Sequence, residues 1–244
     1  TVAFNRLVDP FWYYRDFSVE GLNSVKPKFG RFERYVKPSL VQREQPASLI
    51  FGSSYAEIGF DPGHPALRAV GKSYNFALAG ASWEMEQCGI QYAFQHDSAL
   101  RQIVLGMHPG PAPFKDCSDE VGKMSKNDER AFLFSYEAFE ASINTVLEQR
   151  KQKPSHTADG MYFYTRGLPG TAGRFREYFA GHTPCKISRV SGNVSEGKGL
   201  ALNPTNNIDL SGLDDVIRLA IARQVTVKIV IYPRHALSFE QEYQ

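Results

Sequence analysis

Two serines follow a short apolar run in the segment LIFGSSYAEIGFDP, which covers residues 49–62. A buried strand that ends in Gly52-Ser53-Ser54 brings a hydroxyl to the rim of a sheet, where a substrate can reach it. A serine hydroxyl is a poor nucleophile until a base takes its proton and donors hold the oxyanion that forms. The same residues also suit a strand-to-helix turn in which one hydroxyl caps the helix. The segment therefore predicts either a nucleophile or a tight turn.

Candidate side chains also follow three other predicted strands. The strand predicted at 73–78 is followed by Ala79-Gly80, and the strand at 101–105 is followed by Gly106-Met107-His108. The strand at 225–232 is followed by Pro233-Arg234-His235. In a parallel sheet the working residues lie just beyond the carboxyl ends of the strands. These residues are therefore expected to meet Gly52-Ser53-Ser54 at one edge.

Predicted helices alternate with these strands. Ser82 caps a helix with Glu84 and Glu86 in its first turn, and Ser211 caps another. Residues 131–150 predict a third helix, whose apolar stripe is expected to face the core: Phe132, Tyr136, Phe139, Ile143 and Leu147. This alternation predicts an α/β fold of three layers, α/β/α, with a mainly parallel sheet.

The chain divides into a lead-in and one domain. Residues 1–46 mix aromatic and basic side chains with four prolines, which predicts an irregular lead-in that wraps the domain. Residues 47–244 form the single α/β domain, with a long excursion at 151–208 that is rich in Gly, Thr, Asn and Lys. Loops of this length are usually functional or mobile. The excursion's histidines, His156 and His182, are expected at the surface.

Composition excludes several classes of protein. Hydrophobic residues make up 42% and charged residues 22%, which are globular values, and no window approaches the roughly 18 apolar residues that span a bilayer. The net charge is +2, with scattered Lys and Arg, so no nucleic-acid partner is expected. No Gly-rich phosphate loop occurs, which disfavours a nucleotide-binding domain.

The three cysteines, Cys88, Cys117 and Cys185, form no CxxC pair. This spacing argues against zinc and thioredoxin-type chemistry, and no metal or other cofactor is expected. Two alternatives remain for these residues. They are buried thiols, or an oxidising compartment joins two of them.

The four strand ends resemble the SGNH, or GDSL-like, hydrolase superfamily of esterases and acyltransferases. Gly52-Ser53-Ser54 matches the first block with Ser in place of Asp, which puts Ser54 in the nucleophile position. The run from Asn75 to Gly80 (NFALAG) matches the second block, and His108 stands where the third block has Asn. The resemblance implies a flavodoxin-like sheet and an oxyanion hole made by the N–H groups of Ser54 and Gly80 with the ring of His108. Ser53 and Asn75 would complete the substrate-binding set, with Asn75 as an orienting or turn residue rather than a reacting one.

The family's final Asp-x-x-His block has no counterpart at the expected place. The only such spacing, Asp61-Pro62-Gly63-His64, directly follows the nucleophile segment and lies on the wrong part of the fold. His235 follows the fourth strand, one strand earlier than in the family. The catalytic base is therefore expected to be His235 or a residue beyond Gln244 in a domain truncated at its C-terminus.

The segments GSSYAEIGFDP and YNFALAGAS resemble those of a bacterial branch of the superfamily. That branch comprises membrane-anchored, periplasmic or extracytoplasmic proteins linked to exopolysaccharide O-acetylation, such as alginate-modifying proteins. The opening NRLVDPF resembles the segment that follows their single membrane anchor. The resemblance implies an extracytoplasmic serine esterase or O-acetyltransferase that acts on acylated carbohydrate within a polysaccharide-modification complex. The alternative is a non-catalytic scaffold that binds glycan or such a complex, because the third block is altered and the final block is missing.

Overall fold

A four-stranded, all-parallel sheet lies at the centre of the computed structural model, which describes residues 1–107, 116–125, 129–150, 154–163 and 210–232. The strands follow the order β2-β1-β3-β4 across the sheet. They are β1 (Ser48–Phe51), β2 (Ser73–Asn75), β3 (Gln102–Met107) and β4 (Thr226–Ile231). The α/β fold and the parallel sheet expected from the sequence are confirmed.

Nine helices are found in the described residues, and none of these has the length and apolarity needed to cross a bilayer. They are α1 (Val2–Val8), α2 (Phe29–Glu44), α3 (Ser54–Gly59), α4 (Pro65–Arg68), α5 (Trp83–His96), α6 (Ser118–Ser125), α7 (Glu129–Phe134), α8 (Tyr136–Glu148) and α9 (Ser211–Ala222). Ser82 caps α5 as predicted, since its hydroxyl accepts a hydrogen bond from the N–H of Met85 at 3.4 Å. At α9 the N-cap is Leu210, one residue before the predicted cap.

Helices cover both faces of the sheet because alternate strand residues point to opposite sides. Leu49 and Ile103 face a large hydrophobic cluster that includes residues of α2 and α5. Ile50 faces a smaller cluster with Ala56 of α3 and Leu67 of α4. The three predicted layers are therefore present.

The second strand ends three residues earlier than predicted. The side-chain oxygen of Asn75 accepts a hydrogen bond from the N–H of Ala77 at 3.0 Å, which forms a local turn. The following residues still bond to β1, through the N–H of Phe76 to the carbonyl of Ile50 and the N–H of Leu78 to that of Gly52. This turn starts the loop that leads to Gly80.

The prediction of an irregular lead-in at residues 1–46 is wrong for much of its length. Helix α2 spans 16 residues, and Phe29, Val36 and Leu40 on its inner side are fully buried. The proline Pro38 lies inside this helix. Prolines disfavour helix interiors, but packing of an apolar face overrides that local preference.

The predicted helix at 131–150 is two helices, α7 and α8. They are separated at Ser135, whose hydroxyl caps α8 by accepting a hydrogen bond from the N–H of Ala138 at 3.1 Å. The stripe expected in the core is also wrong for most of its members, because Tyr136, Ile143 and Leu147 are exposed. The buried side of α8 instead carries small and polar residues: Ala138, Ala141, Ser142 and Thr145. Small side chains allow α1 to approach α8 closely.

A disulfide joins Cys88 of α5 to Cys117, which directly precedes α6. Of the two alternatives that the sequence left open, the structure therefore has the one in which two of the cysteines are joined. Cys185 lies outside the described residues.

We expect Cys88→Ser to lower the free energy of unfolding by about 3 kcal/mol, because the disulfide closes a loop of 29 residues in the unfolded chain. Urea unfolding of the oxidised protein measures this loss. Cys185→Ser is the matched control. Equal stability of the two variants would contradict the pairing.

Candidate active site

The sheet order creates a topological switch point at the carboxyl ends of β1 and β3. Strand β2 lies on one side of β1 and strand β3 on the other, so the connections above the sheet diverge there. Ligands of open parallel sheets bind in the crevice at such a point. Gly52-Ser53-Ser54 leave β1 at this place, directly before α3.

The two serines have different environments. Ser53 is the N-cap residue of α3, but its side chain makes no capping hydrogen bond. It is only 8% exposed, so its side chain is buried. Ser54, the first residue of α3, is partly exposed. Ser54 is therefore the more accessible of the two serines.

Gly80 belongs to the exposed loop after β2. Its φ of 68° is in the left-handed region, which favours glycine. A Cβ atom added to Gly80 would have no heavy atom within 4 Å, so the space in front of this residue is open. The backbone at Gly80 is accessible, as an oxyanion donor must be.

Tyr232, the residue after β4, packs directly on the turn at Gly52. Its backbone N–H donates to the carbonyl of Met107 at 3.0 Å, and its ring stacks on Tyr55 of α3 with centroids 5.2 Å apart. Gly52 has a φ of 145°, and any Cβ there would overlap the Tyr232 hydroxyl. Burial raises the pKa of Tyr232, and the neighbouring Ser53 side chain opposes that rise. Tyr232 therefore fixes the first turn of α3 against the end of β4.

Asn75 lies inside the fold rather than in the crevice. Its side chain has no exposed surface, and its amide donates to the carbonyls of Ala56 at 3.0 Å and Phe60 at 2.9 Å. The predicted role of Asn75 in substrate binding is therefore replaced by a positioning role. It holds the carbonyl end of α3 against the turn that leads to Gly80.

A buried cluster of four titratable groups lies behind α3. Lys37 of α2 is fully buried, and its Nζ donates to Glu57 Oε1 of α3 at 2.9 Å and to the carbonyl of Ala77 at 2.5 Å. Glu33 Oε2 is 3.6 Å from the same Nζ. The Nε2 atom of His156 is 3.5 Å from Glu57 Oε1 and 3.7 Å from Glu33 Oε2.

His156 is 5% exposed, so its expected place at the surface is wrong. It belongs to the segment 154–163, where its bridge to Tyr162 closes a short antiparallel turn. The N–H of Tyr162 donates to the carbonyl of Glu57 at 3.0 Å, and the N–H of Asn75 donates to the carbonyl of Asp159 at 2.8 Å. This part of the predicted excursion is thus packed against α3 and β2.

The groups of this cluster shift one another's pKa values. Burial raises the pKa of Glu33, although His156 and Lys37 oppose the rise. Burial alone would also raise the pKa of Glu57, but hydrogen bonds and the Lys37 charge lower it to about 2. Burial tends to lower the pKa of His156, but its two carboxylate partners raise it. With His156 protonated, the two carboxylates and two cations balance.

Glu33, Glu57 and His156 are also the described residues that could hold a metal ion, since their ligand atoms lie within 4.8 Å of one another. The ammonium of Lys37 already contacts both carboxylates and supplies a positive charge there. The cluster is therefore explained by internal charge pairing.

Two cavities flank the loop that carries Gly80. The larger has a volume of about 450 Å³ and is lined by charged, aromatic and sulfur-containing residues: Arg34, Tyr35, Leu78, Glu84, Met85, Cys88, Glu120 and Met124. The smaller, about 10 Å³, lies between the end of β1 and the start of α5 and is lined by Gly52 and Glu86, among others. Leu78 and Met85 line both cavities.

Glu86 is a buried carboxyl group at the small cavity. It is 8% exposed. Burial raises the pKa of Glu86 to about 8. Burial therefore favours the protonated, uncharged form of this carboxyl.

The residues that lead to Ser54 and to Gly80 are joined by a hydrogen bond from the N–H of Leu78 to the carbonyl of Gly52 at 3.1 Å, and Asn75 is buried away from the crevice. His108 and His235 lie outside the described residues. Sequence reasoning missed the buried cluster, Tyr232 and Glu86. A lysine and two glutamates at helix positions look like solvent-exposed charges, and the sequence contains no signal that they are buried.

We expect Lys37→Met to lower the free energy of unfolding by about 3–5 kcal/mol, because it leaves buried carboxylates without their cation. Urea unfolding at pH 7 measures the change. Lys72→Met is the matched control, since Lys72 is half-exposed and its surface pair with Glu44 is worth at most about 1 kcal/mol. Adding Glu57→Gln to Lys37→Met should restore part of the loss. Similar losses in the two lysine variants would show that Lys37 is not a buried ion-pair partner.

The carboxyl of Glu86 predicts a pH dependence of stability. Its pKa is about 8 in the folded protein and 4.5 in the unfolded chain. The contribution of Glu86 to the free energy of unfolding is therefore fully present below pH 4.5 and is lost as the pH rises towards 8. Glu86→Gln removes this loss, and its stability relative to the native protein should increase by up to about 1.4 kcal/mol per pH unit. Urea midpoints at pH 5 and pH 8 test this, with the exposed Glu84→Gln as control. If the urea midpoints of Glu86→Gln and the native protein differed by the same amount at pH 5 and at pH 8, the result would contradict this prediction.

No protein-family model, curated protein or solved structure matches this chain. Its function must therefore be argued from the residues at the crevice and their chemistry.

Proposed function

We propose that this chain is an extracytoplasmic, SGNH-like serine esterase or O-acetyltransferase that acts on acylated carbohydrate. The arrangement of Ser54 carries the proposal. Ser54 is partly exposed at the switch point of a parallel sheet, while its neighbour Ser53 is buried. The next strand along the chain leads to Gly80, whose backbone faces open space. A nucleophile with nearby backbone donors is what acyl transfer requires.

The proposed reaction has two steps. The Oγ atom of Ser54 attacks the carbonyl carbon of the ester, a new Oγ–C bond forms, and the bond from that carbon to the sugar oxygen breaks. A base carries the proton from Oγ to the leaving sugar oxygen. Water then releases the acyl group as a carboxylic acid, or a sugar hydroxyl accepts it, and Ser54 regains its proton.

The base assigned in the proposal is His235. It follows Tyr232 by three residues in the sequence, and Tyr232 contacts the Gly52 turn beside the nucleophile. His108 directly follows β3 and is assigned as an additional oxyanion donor. Each such donor contributes about 3–4 kcal/mol to the stability of a transition state.

The larger cavity supports a carbohydrate substrate. At about 450 Å³ it has the size of ordinary small-ligand sites, and it adjoins the Gly80 loop through Leu78. Tyr35 is 56% exposed and offers a ring face for stacking on a sugar. The charged side chains of Arg34 and Glu120 can form hydrogen bonds with sugar hydroxyls.

The disulfide between Cys88 and Cys117 supports an extracytoplasmic location. Disulfides persist in oxidising compartments and are rare in the cytosol. One residue of this pair, Cys88, also lines the larger cavity.

We expect Ser54→Ala to reduce turnover of p-nitrophenyl acetate by more than about a thousandfold, because the variant lacks the attacking oxygen. Release of p-nitrophenol measures the rate. The exposed Ser18→Ala serves as control and should retain native activity. Undiminished turnover in Ser54→Ala would refute the assigned nucleophile. An inactive native protein that still binds oligosaccharides would favour a glycan-binding scaffold.

A further inference from the structure

The loop after β2 makes a hydrogen-bonded turn over residues 78–81. The N–H of Ala81 donates to the carbonyl of Leu78 at 3.1 Å, which closes the turn. Gly80, its third residue, has a φ of 68°, whereas Ala79, its second residue, has a negative φ. This combination defines a type II turn, in which the peptide between the second and third residues is flipped relative to a type I turn.

The orientation of this central peptide decides where the N–H of Gly80 points. The peptide is trans and planar, so its carbonyl and its N–H point in opposite directions. The carbonyl belongs to Ala79 and the N–H to Gly80. A group that binds the Ala79 carbonyl therefore fixes the direction of the Gly80 N–H, which the proposed function assigns as an oxyanion donor.

Helix α2 presents two cations to this loop. The Nη2 atom of Arg34 donates to the carbonyl of Ala79 at 3.4 Å, and the Nζ atom of Lys37 donates to the carbonyl of Ala77 at 2.5 Å. The two cations lie on one face of α2, because residues three apart on a helix are neighbours. Alternate carbonyls of the loop therefore point towards α2.

The opposite side of the loop faces the end of β1. The N–H of Leu78, which shares a peptide with the Ala77 carbonyl, donates to the carbonyl of Gly52 at 3.1 Å. The Ala79 carbonyl points towards α2 like that of Ala77, so the N–H of Gly80 points away from α2. It is thus directed to the side on which β1 ends and the two serines follow.

The glycine itself does not decide between the two turn types. Gly80 adopts positive and negative φ about equally well, so its sequence position permits both orientations of the central peptide. Arg34 supplies the missing preference, since it binds the Ala79 carbonyl in one of them. Its Nη1 atom also lies 3.8 Å from the sulfur of Met85 in α5, beyond the turn. The planar guanidinium is therefore held at both of its amino groups.

We propose that Arg34 is a positioning residue for the proposed reaction, because it holds the peptide between Ala79 and Gly80 in the orientation that directs the Gly80 N–H to the oxyanion. The proposal rests on the proposed function and adds a residue of α2 to its machinery. This role differs from a contact of Arg34 with sugar hydroxyls, since it acts on the transition state of any ester.

The test measures kcat and KM for p-nitrophenyl acetate, which has no sugar, in the native protein, Arg34→Met and Arg34→Lys. One oxyanion donor contributes about 100–1000-fold to kcat, so its misorientation in Arg34→Met should lower kcat by at least about tenfold. KM should stay within about twofold, because the oxyanion exists only in the transition state. Arg34→Lys retains a cationic donor and should recover part of kcat. Arg31→Met, also exposed on α2, is the matched control and should keep native values.

A double variant tests whether Arg34 acts through the turn. Gly80→Ala keeps the N–H, but a φ of 68° is strained for alanine, so the central peptide should flip as it does without Arg34. Arg34→Met combined with Gly80→Ala should then lose no more than about threefold beyond Gly80→Ala alone. Losses that multiply would overturn the positioning role.

The residual dipolar coupling of the Gly80 N–H reports its direction without any substrate. It should change in Arg34→Met, while the coupling of Leu78, whose N–H stays bonded to Gly52, should not. An unchanged Gly80 coupling, or native kcat in Arg34→Met, would overturn the role of Arg34 and leave a Ser54-dependent esterase intact. A changed coupling in a protein without Ser54-dependent turnover would overturn the proposed function and the catalytic role of Arg34, but not its hold on the turn.

Discussion

The ammonium group of Lys37 is the constraint on which the candidate site depends. It is fully buried, and it connects α2 to Glu57 of α3 and to the carbonyl of Ala77 in the loop that leads to Gly80. A charge without access to water is tolerated only when its partners stay within bonding distance. The spacing between the helix that begins at Ser54 and the loop that contains Gly80 is therefore held by the interior of the protein. The crevice itself needs no strong contacts across its open side.

Other buried polar groups reinforce the same spacing. Asn75 binds carbonyls of α3 while accepting a hydrogen bond from the loop, and Tyr162 adds a bond from the segment 154–163 to Glu57. Hydrogen-bonded polar networks of this kind make an interior rigid and specific. A cavity as small as the one beside Gly52 keeps its shape only in such a rigid setting. Positional precision at the crevice thus follows from charge pairing and hydrogen bonding beneath it.

The sequence predicted those parts of the fold that depend on local signals. Short apolar runs located all four strands, and the hydroxyl of Ser82 located the start of α5, because strand periodicity and helix capping act over a few residues. The two serines after β1 were also recognised from their place at a strand end. Asn75 was found as a residue of interest, but its direction into the interior depends on contacts with α3.

The remainder depends on tertiary contacts that no local pattern contains. Pro38 disfavours a helix locally, yet packing against the core makes α2 one of the principal helices. The small residues of α8 are buried because α1 approaches closely, which leaves its larger apolar residues outside. His156 looked like a surface histidine because its carboxylate partners come from α2 and α3, more than 90 residues away in the sequence. A glutamate in the first turn of a helix, such as Glu86, is usually an exposed charge that the helix dipole favours. Its burial is visible only in the packed structure.

The most direct test of the account is the position at which a fluorophosphonate attaches to the native, folded protein. Proteolysis followed by mass spectrometry of the labelled peptides identifies the modified residue. The account predicts a single adduct on the Oγ atom of Ser54. An adduct on another residue, or labelling that appears only after the protein is unfolded, would contradict it.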